Sequence, residues 1–332
     1  MPTVTVIVPV RNEARSIEQT LRSLFEQDYP RDQYEVIVAD GCSDDETVPI
    51  VRRLQGEFAN LHLTYNPRRV SSAGRNLGIY HMTGEVAVIV DGHCHNPDRN
   101  YLHNLSNAFM ESGADCLGRP QPLDAPNPTR FQEAVSIARS SRLGHNPESD
   151  IFSDEAKFVP PQSTAVAYRR SVFETVGLFD EQFDACEDVE FNHRVDAVGL
   201  TCFFSPKLKI VYDPRTTFTR LFIQLGRYGS GRGRLAAKHP ASLSLPALVP
   251  PLWAIWLVVG GITSAFVPYV GWAYLASILL YISVIAGGSI VLGLGKSLAV
   301  VARVPLVFVG IHFGFAWGFL KETARQLRII RT

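Results

Sequence analysis

Short aliphatic runs alternate with amphipathic stretches of helical period through the first two thirds of this chain. Residues 3–8 are β-branched and read as a strand that Pro9 closes. Ile17, Leu21, Leu24 and Phe25 then recur at helical spacing. Residues 34–39 form the second strand. Ser43-Asp44-Asp45-Glu46 has capping-box spacing, which predicts that Ser43 opens a helix carrying Val48, Val51 and Leu54. Residues 61–65 read as a third strand. Ser71 is expected to cap a helix running to His81, and residues 86–90 form a fourth strand ending at Asp91-Gly92-His93. Further on, 164–169 reads as a strand, 188–198 as a helix, and 202–204 and 208–211 as short strands. Such alternation predicts an α/β fold, a mostly parallel sheet with helices on both faces. Ligands bind beyond the carboxyl ends of such strands. Asp40 and Asp91 both occupy strand ends, so they can converge although 51 positions separate them.

Residues 120–161 are rich in Pro, Asn and Ser and are expected to form a mobile active-site loop with one helix at 129–140. The pattern then changes. From 240 to 295 there are 56 residues without one charged side chain. A bilayer core about 30 Å thick needs roughly 20 apolar residues per helix. The run therefore holds two crossings, expected at 246–267 and 272–294 with Pro268 and Gly271 in the turn between them. Soluble cores rarely run so long without a charge. A third apolar segment, 298–320, is interrupted by Arg303, Pro305 and His312. Arg232, Arg234 and Lys238 precede the membrane region; Lys321, Arg325, Arg328 and Arg331 follow it. The positive-inside rule puts both clusters on the cytoplasmic side, which favours two crossings and a re-entrant or interfacial third segment. Three crossings are the alternative. The expected division is a catalytic domain at 1–235 and a membrane region at 236–332. A multi-pass protein of the cell (inner) membrane with its catalytic domain in the cytoplasm follows.

Net charge is zero, but acids outnumber bases by five before Leu245 and bases outnumber acids by five after it. A mildly acidic domain argues against nucleic-acid binding. Five scattered cysteines without CxxC spacing read as free thiols in a reducing compartment. The opening MPTVTVIVPV reads as a strand and not as a signal peptide.

Four groups of residues can carry chemistry. Pro9-Val10-Arg11-Asn12-Glu13 puts amides and a carboxylate at the mouth of the sheet, and Asp40 ends the second strand. Asp40 can accept a hydrogen bond from a uracil imide or a ribose, or, with Asp45, shape a turn and a helix start. Asp91-Gly92-His93 places two potential ligands of a divalent cation one residue apart, or forms a polar turn. Glu187-Asp188 opens a helix, where the macrodipole favours carboxylates; a carboxylate so placed can also serve as a general base. Gln224-Leu225-Gly226-Arg227-Tyr228 begins a basic stretch that either grips phosphate or lies on anionic headgroups.

In order, Pro-Val-Arg-Asn-Glu (9–13), Ala-Asp-Gly-Cys-Ser-Asp-Asp-Glu-Thr (39–47), Ala-Gly-Arg-Asn-Leu-Gly (73–78), Asp-Gly-His (91–93), Gly-Leu-Phe-Asp-Glu (177–181), Glu-Asp-Val-Glu-Phe (187–191) and Gln-x-x-Arg-Tyr (224–228) resemble the family 2 glycosyltransferases. These are the inverting group with the GT-A fold. The similarity is greatest to the membrane-associated succinoglycan-type exopolysaccharide enzymes. The resemblance implies that Pro9, Arg11, Glu13, Asp40, Arg75 and Asp91 contact a UDP-sugar. It implies that Asp91 and His93 hold Mn²⁺ or Mg²⁺, and that Asp188 is the catalytic base. Glu187, Gln224 and Arg227 would serve acceptor or phosphate. Three residues depart from the pattern: Gly41 in place of a second Asp, His93 in place of the last Asp of DxD, and Tyr228 in place of Trp. The implied reaction moves one sugar, expected to be glucose, to a lipid-linked saccharide. A processive synthase and a non-catalytic nucleotide-sugar-binding scaffold are the alternatives.

Overall fold

The computed structural model describes residues 1–95, 98–145 and 149–330. Arg331, considered above, and the side chain of His95 lie outside the described residues. The strands are β1 (Val4–Val10), β2 (Tyr34–Asp40), β3 (Leu61–Tyr65), β4 (Val86–Ile89), β5 (Cys94–His95), β6 (Cys116–Gly118), β7 (Lys157–Val159), β8 (Ala165–Arg169), β9 (Cys202–Phe204) and β10 (Val211–Tyr212). The helices are α1 (Ile17–Phe25), α2 (Thr47–Gln55), α3 (Ser71–His81), α4 (Tyr101–Ser112), α5 (Arg130–Arg139), α6 (Pro161–Thr164), α7 (Arg170–Val176), α8 (Glu187–Ala197), α9 (Phe218–Lys238), α10 (Leu245–Ser264), α11 (Pro268–Leu292), α12 (Leu298–Val301) and α13 (Val304–Ile330). They fall into two compact units. One comprises Met1–Pro122 and Glu148–Asp213, the other Leu123–Pro147 and Pro214–Thr332.

In the first unit, eight strands lie in the order β3-β2-β1-β4-β8-β6-β9-β7. The first four are mutually parallel, β8 is antiparallel to β4 and β6, and β7 is antiparallel to β9. The expected mostly parallel α/β sheet is therefore present, with antiparallel strands in its second half. Strand alternation builds a core on each face. Val4, Val6 and Val8 join the side chains of α1, α2 and α4 on one face; Ile7, Ala87 and Ile89 join those of α3, α7 and α8 on the other. Gly78 lets α3 come close to β1, because a Cβ there would overlap the Ile7 side chain. A separate ribbon pairs β10 with β5, setting Tyr212 opposite Cys94.

Four local expectations are corrected. Ser43 does not cap α2; the helix starts after Glu46, and the Asp45 carboxylate accepts from the Thr47 amide at 3.0 Å. Ser43 instead accepts from the Asn12 amide at 2.9 Å, tying two loops together. Ser71 is the first residue of α3, and Val70 precedes it as a non-hydrogen-bonding cap. The expected strand at 208–211 becomes a 3₁₀ turn, Pro206–Leu208, followed by β10. Residues 120–161, expected as a loop with one helix, also contribute β7 at the sheet edge.

In the second unit, Thr129 and Gln132 close a reciprocal capping box on α5. Ala134, Val135 and Ala138 of α5 are buried with Leu221, Leu225, Val304 and Phe308. Three helical segments, Leu245–Ser264, Pro268–Leu292 and Leu298–Arg328, are long and apolar enough to cross a membrane. Helix α13 lies along α9 through facing glycines: a Cβ on Gly318 would strike the Gly226 carbonyl, and one on Gly229 would strike that of Phe315. Small residues permit this backbone approach, as between membrane helices generally. The Ser230 hydroxyl donates to the Gly318 carbonyl at 3.1 Å, and Arg234 pairs with Glu322 at 3.3 Å. Gly318→Leu is expected to part the two helices at a cost of about 1–3 kcal/mol or more, the usual penalty of overpacking. Thermal unfolding in detergent would measure it, and an unchanged midpoint would refute the contact.

Candidate active site

The site in the first unit is built at the carboxyl ends of parallel strands. Pro9 is paired with Ala39, and Val10 with Asp40, across β1 and β2. Beyond them the chain turns twice in left-handed backbone, at Asn12 (φ 59°) and Cys42 (φ 58°). The turns are laced together: the Glu13 amide donates to Thr47 Oγ1 at 2.8 Å, and the Ala14 amide to Asp45 Oδ2 at 3.1 Å. Arg11 projects into solvent. Asp40 is 3% exposed, and its Oδ2 accepts from the Ser43 amide at 3.1 Å. Among the described residues, Asp40 Oδ1 is buried with no hydrogen-bond partner, as is Asn66 Oδ1 nearby. Unpartnered buried acceptors are costly in a fold unless something supplies donors.

Asp91 follows β4. Its Oδ2 accepts from the Tyr212 hydroxyl at 3.0 Å. Burial alone would raise its pKa, but His93, Arg75 and Arg119 and the Tyr212 hydrogen bond outweigh burial and hold it below the ordinary range. His93 Nδ1 lies 3.1 Å from Glu13 Oε1, and its ring meets that of Tyr212 edge-on with centroids 6.1 Å apart. Burial, reinforced by Asp91, keeps the Tyr212 phenol protonated well above its usual range although Arg119 opposes them.

Arg75 and α8 form the opposite wall. The first turn of α8 carries three acids, and the structure treats them differently. Glu187 is buried and pairs with Arg75 at 3.0 Å. Glu190 is fully buried and pairs with Arg194 at 2.9 Å. Asp188 lines the same pocket as Arg75, Asp91, Arg119, Tyr168 and Tyr212. Burial alone would favour a neutral Arg75, but Glu187, Asp188 and Asp91 outweigh it and keep the guanidinium charged. It also stacks over Phe179 at 5.3 Å. Asn76 locks the 73–78 segment to the 177–181 segment by exchanging hydrogen bonds with the Phe179 backbone in both directions at 2.9 Å.

Of the residues singled out from the sequence, Arg75, Asp91 and Asp188 meet in this pocket, with Glu187 behind Arg75 and with His93 and Glu13 paired beside it. Asp40 and Pro9 belong to the neighbouring strand ends. Gln224 and Arg227 lie on α9 in the second unit, where Gln224 Nε2 donates to the Tyr228 hydroxyl at 3.2 Å and Arg139 stacks over Tyr228 at 5.6 Å. Arg119, Tyr212 and Tyr101 were not singled out. A faint signal existed, a lone arginine directly after an apolar strand at Gly118-Arg119-Pro120.

A divalent cation fits this donor set in a limited sense. Among the described residues no group of three or more His, Cys, Asp or Glu side chains forms a cage. Asp91 and His93 can offer an oxygen and a nitrogen, and Mg²⁺ or Mn²⁺ commonly completes such a sparse set with phosphate oxygens and water.

A family description, Glycosyl transferase family 2, matches residues 5–177. The chain is 27% identical to the succinoglycan biosynthesis protein ExoA of Rhizobium meliloti, over 96% of this chain and 94% of that one. It is 28% identical to the glycosyltransferase AglE of Haloferax volcanii, over 78% and 81% of the two chains. Among solved structures it is similar to the mannosyltransferase PcManGT from Pyrobaculum calidifontis, described in complex with GDP-Man and Mn²⁺. That match has a TM-score of 0.60 at 22% identity and covers 93% of this chain and 87% of the other. The fold is the expected GT-A fold.

Proposed function

The chain belongs to glycosyl transferase family 2, and on that premise we propose that it transfers a single sugar, with inversion, from a UDP-sugar to a lipid-linked saccharide. The observation that carries this reading is the pocket where Asp91, Arg75 and Asp188 converge at the strand ends. Similarity to ExoA along nearly the whole of both chains supports a role in exopolysaccharide or other cell-surface glycan synthesis.

Asp40 receives the nucleoside. Its buried Oδ1 accepts a base imide or ribose hydroxyl proton, and Pro9, Arg11 and Glu13 flank it. Arg75 places positive charge beside the donor phosphates, oriented by Glu187. Asp91 and His93 would hold the divalent cation, which, when bound, neutralises charge growing on the departing diphosphate. Asp188 accepts the proton of the acceptor hydroxyl as that oxygen attacks the anomeric carbon. Its neighbours Glu187 and Glu190 are engaged by arginines, so Asp188 is the acid of that turn suited to the task. Gln224 and Arg227 bind acceptor or donor phosphate from α9. Residues 1–235 carry the chemistry and 236–332 hold the enzyme in the cell membrane, with the catalytic part on the cytoplasmic side. Three apolar helices and a zone of arginines before them support an acceptor presented at the bilayer surface.

The test is nucleotide release by detergent-purified full-length protein. The panel holds UDP-glucose, UDP-galactose, UDP-N-acetylglucosamine and GDP-mannose, each with Mn²⁺, with Mg²⁺ or with EDTA. Release of UDP from one UDP-sugar, abolished by EDTA, is the expected result. Release from GDP-mannose alone would overturn the nucleotide assignment, and undiminished release in EDTA would overturn the cation.

A further inference from the structure

Arg119 poses a problem that the proposed chemistry does not solve. It follows β6, it is 1% exposed, and its guanidinium is permanently charged. Among the described residues no carboxylate forms an ion pair with it. Its hydrogen bonds go to neutral oxygens: Nη1 donates to the Tyr101 hydroxyl at 2.8 Å, and Nη2 to the Ile89 carbonyl at 3.1 Å and the Tyr212 hydroxyl at 3.3 Å. Nε is buried with no partner among the described residues. A buried cation held this way is expensive.

Donor and acceptor chemistry explains what the expense achieves. A guanidinium has no acceptor, so the Tyr212 oxygen must receive the hydrogen from Arg119. Tyrosine has one hydroxyl hydrogen, and among the described residues its other hydrogen-bond partner is Asp91 Oδ2 at 3.0 Å. The Tyr212 proton is thus committed to Asp91. The β10–β5 ribbon fixes the Tyr212 backbone opposite Cys94 and its ring packs edge-on against His93, which keeps the hydroxyl oxygen between Arg119 and Asp91.

We infer that Arg119 and Tyr212 form a positioning pair that fixes the Asp91 carboxylate through Oδ2, aims Oδ1 at the donor side, and thereby sets how tightly Asp91 and His93 bind a divalent cation. The inference rests on the proposed cation role of Asp91 and His93. It adds two residues that touch no reacting atom.

Residues that orient metal ligands typically change metal affinity about 10–100-fold when altered. Tyr212→Phe keeps the ring and removes the hydrogen bond. Mn²⁺ binding to purified full-length protein in the presence of UDP, followed by electron paramagnetic resonance, should weaken by about that factor. The Mn²⁺ concentration for half-maximal activity should rise in parallel, with a far smaller fall in kcat at saturating Mn²⁺. Arg119→Lys, which keeps a cationic donor, should bind Mn²⁺ more tightly than Arg119→Met. Thermal midpoints of all variants separate this effect from misfolding. Wild type binding Mn²⁺ while Tyr212→Phe binds it equally well would overturn the positioning role alone. Wild type showing no Mn²⁺ binding would overturn the cation reading and this inference together. A fall in kcat with an unchanged Mn²⁺ requirement would also overturn it.

Discussion

Asp188→Asn is expected to lower kcat by about a hundred- to ten-thousand-fold, the usual contribution of a positioned general base. The substitution keeps the size of the side chain and its place in the first turn of α8. The Val189 amide, which donates to Asp188 Oδ1 at 2.8 Å, still finds an oxygen acceptor in the amide. What disappears is the ability to take a proton. The adjacent acids cannot substitute, because Glu187 is held by Arg75 at 3.0 Å and Glu190 by Arg194 at 2.9 Å. The KM for the donor should change little, since the donor is held by other groups. Nucleotide release at saturating donor and acceptor measures the effect. Turnover within a few fold of wild type, from protein with an unchanged thermal midpoint, would remove Asp188 from the mechanism.

The strand ends were legible in the sequence because a parallel sheet buries its strands on both faces. Such strands show as aliphatic runs, and the first polar residue after each run marks the binding edge. Asp40 and Asp91 were found that way. Arg119 follows the same rule, yet β6 has only three residues, too short a run to stand out. Tyr212 was hidden differently. It sits on a two-residue strand whose partner, β5, is far away in the chain, so no local period reports it. Helix α5 was placed correctly by its pattern, but its apolar face gave no hint that it packs with Leu221 and Phe308. The spacing of Gly310, Gly314 and Gly318 in α13 is the sequence form of the α9 contact, and hydropathy alone passes over it. The capping expectation at Ser43 failed because Asn12 offered that hydroxyl a tertiary partner.

Arg75→Met is expected to destabilise the protein by about 3–5 kcal/mol, the typical result of removing one partner of a buried ion pair. The loss comes less from the missing attraction than from the acid left behind. Glu187 is 7% exposed, and burial already raises its pKa above the ordinary value of 4.5, with Arg75 opposing the rise and Asp188 adding to it. Without Arg75 the opposition ends and the carboxyl rises further. The sign of the pH dependence follows. A carboxyl whose folded pKa is raised keeps its proton in the native state after the unfolded chain has lost its own. The native state then binds more protons, and stability falls as pH rises from the unfolded pKa through the folded one. The deficit of Arg75→Met should therefore be small near about pH 4.5 and large near about pH 8, measured as the difference in unfolding midpoint from wild type at each pH. Equal deficits at both pH values would show that Glu187 is not the cause. The double variant Arg75→Met, Glu187→Gln removes the charge that needed a partner and should recover most of the lost stability, a direct coupling of neighbouring sites. It should not recover activity, because the positive charge proposed to face the donor phosphates is still missing. Stability restored without turnover would separate the two roles of Arg75, holding the start of α8 and receiving the donor.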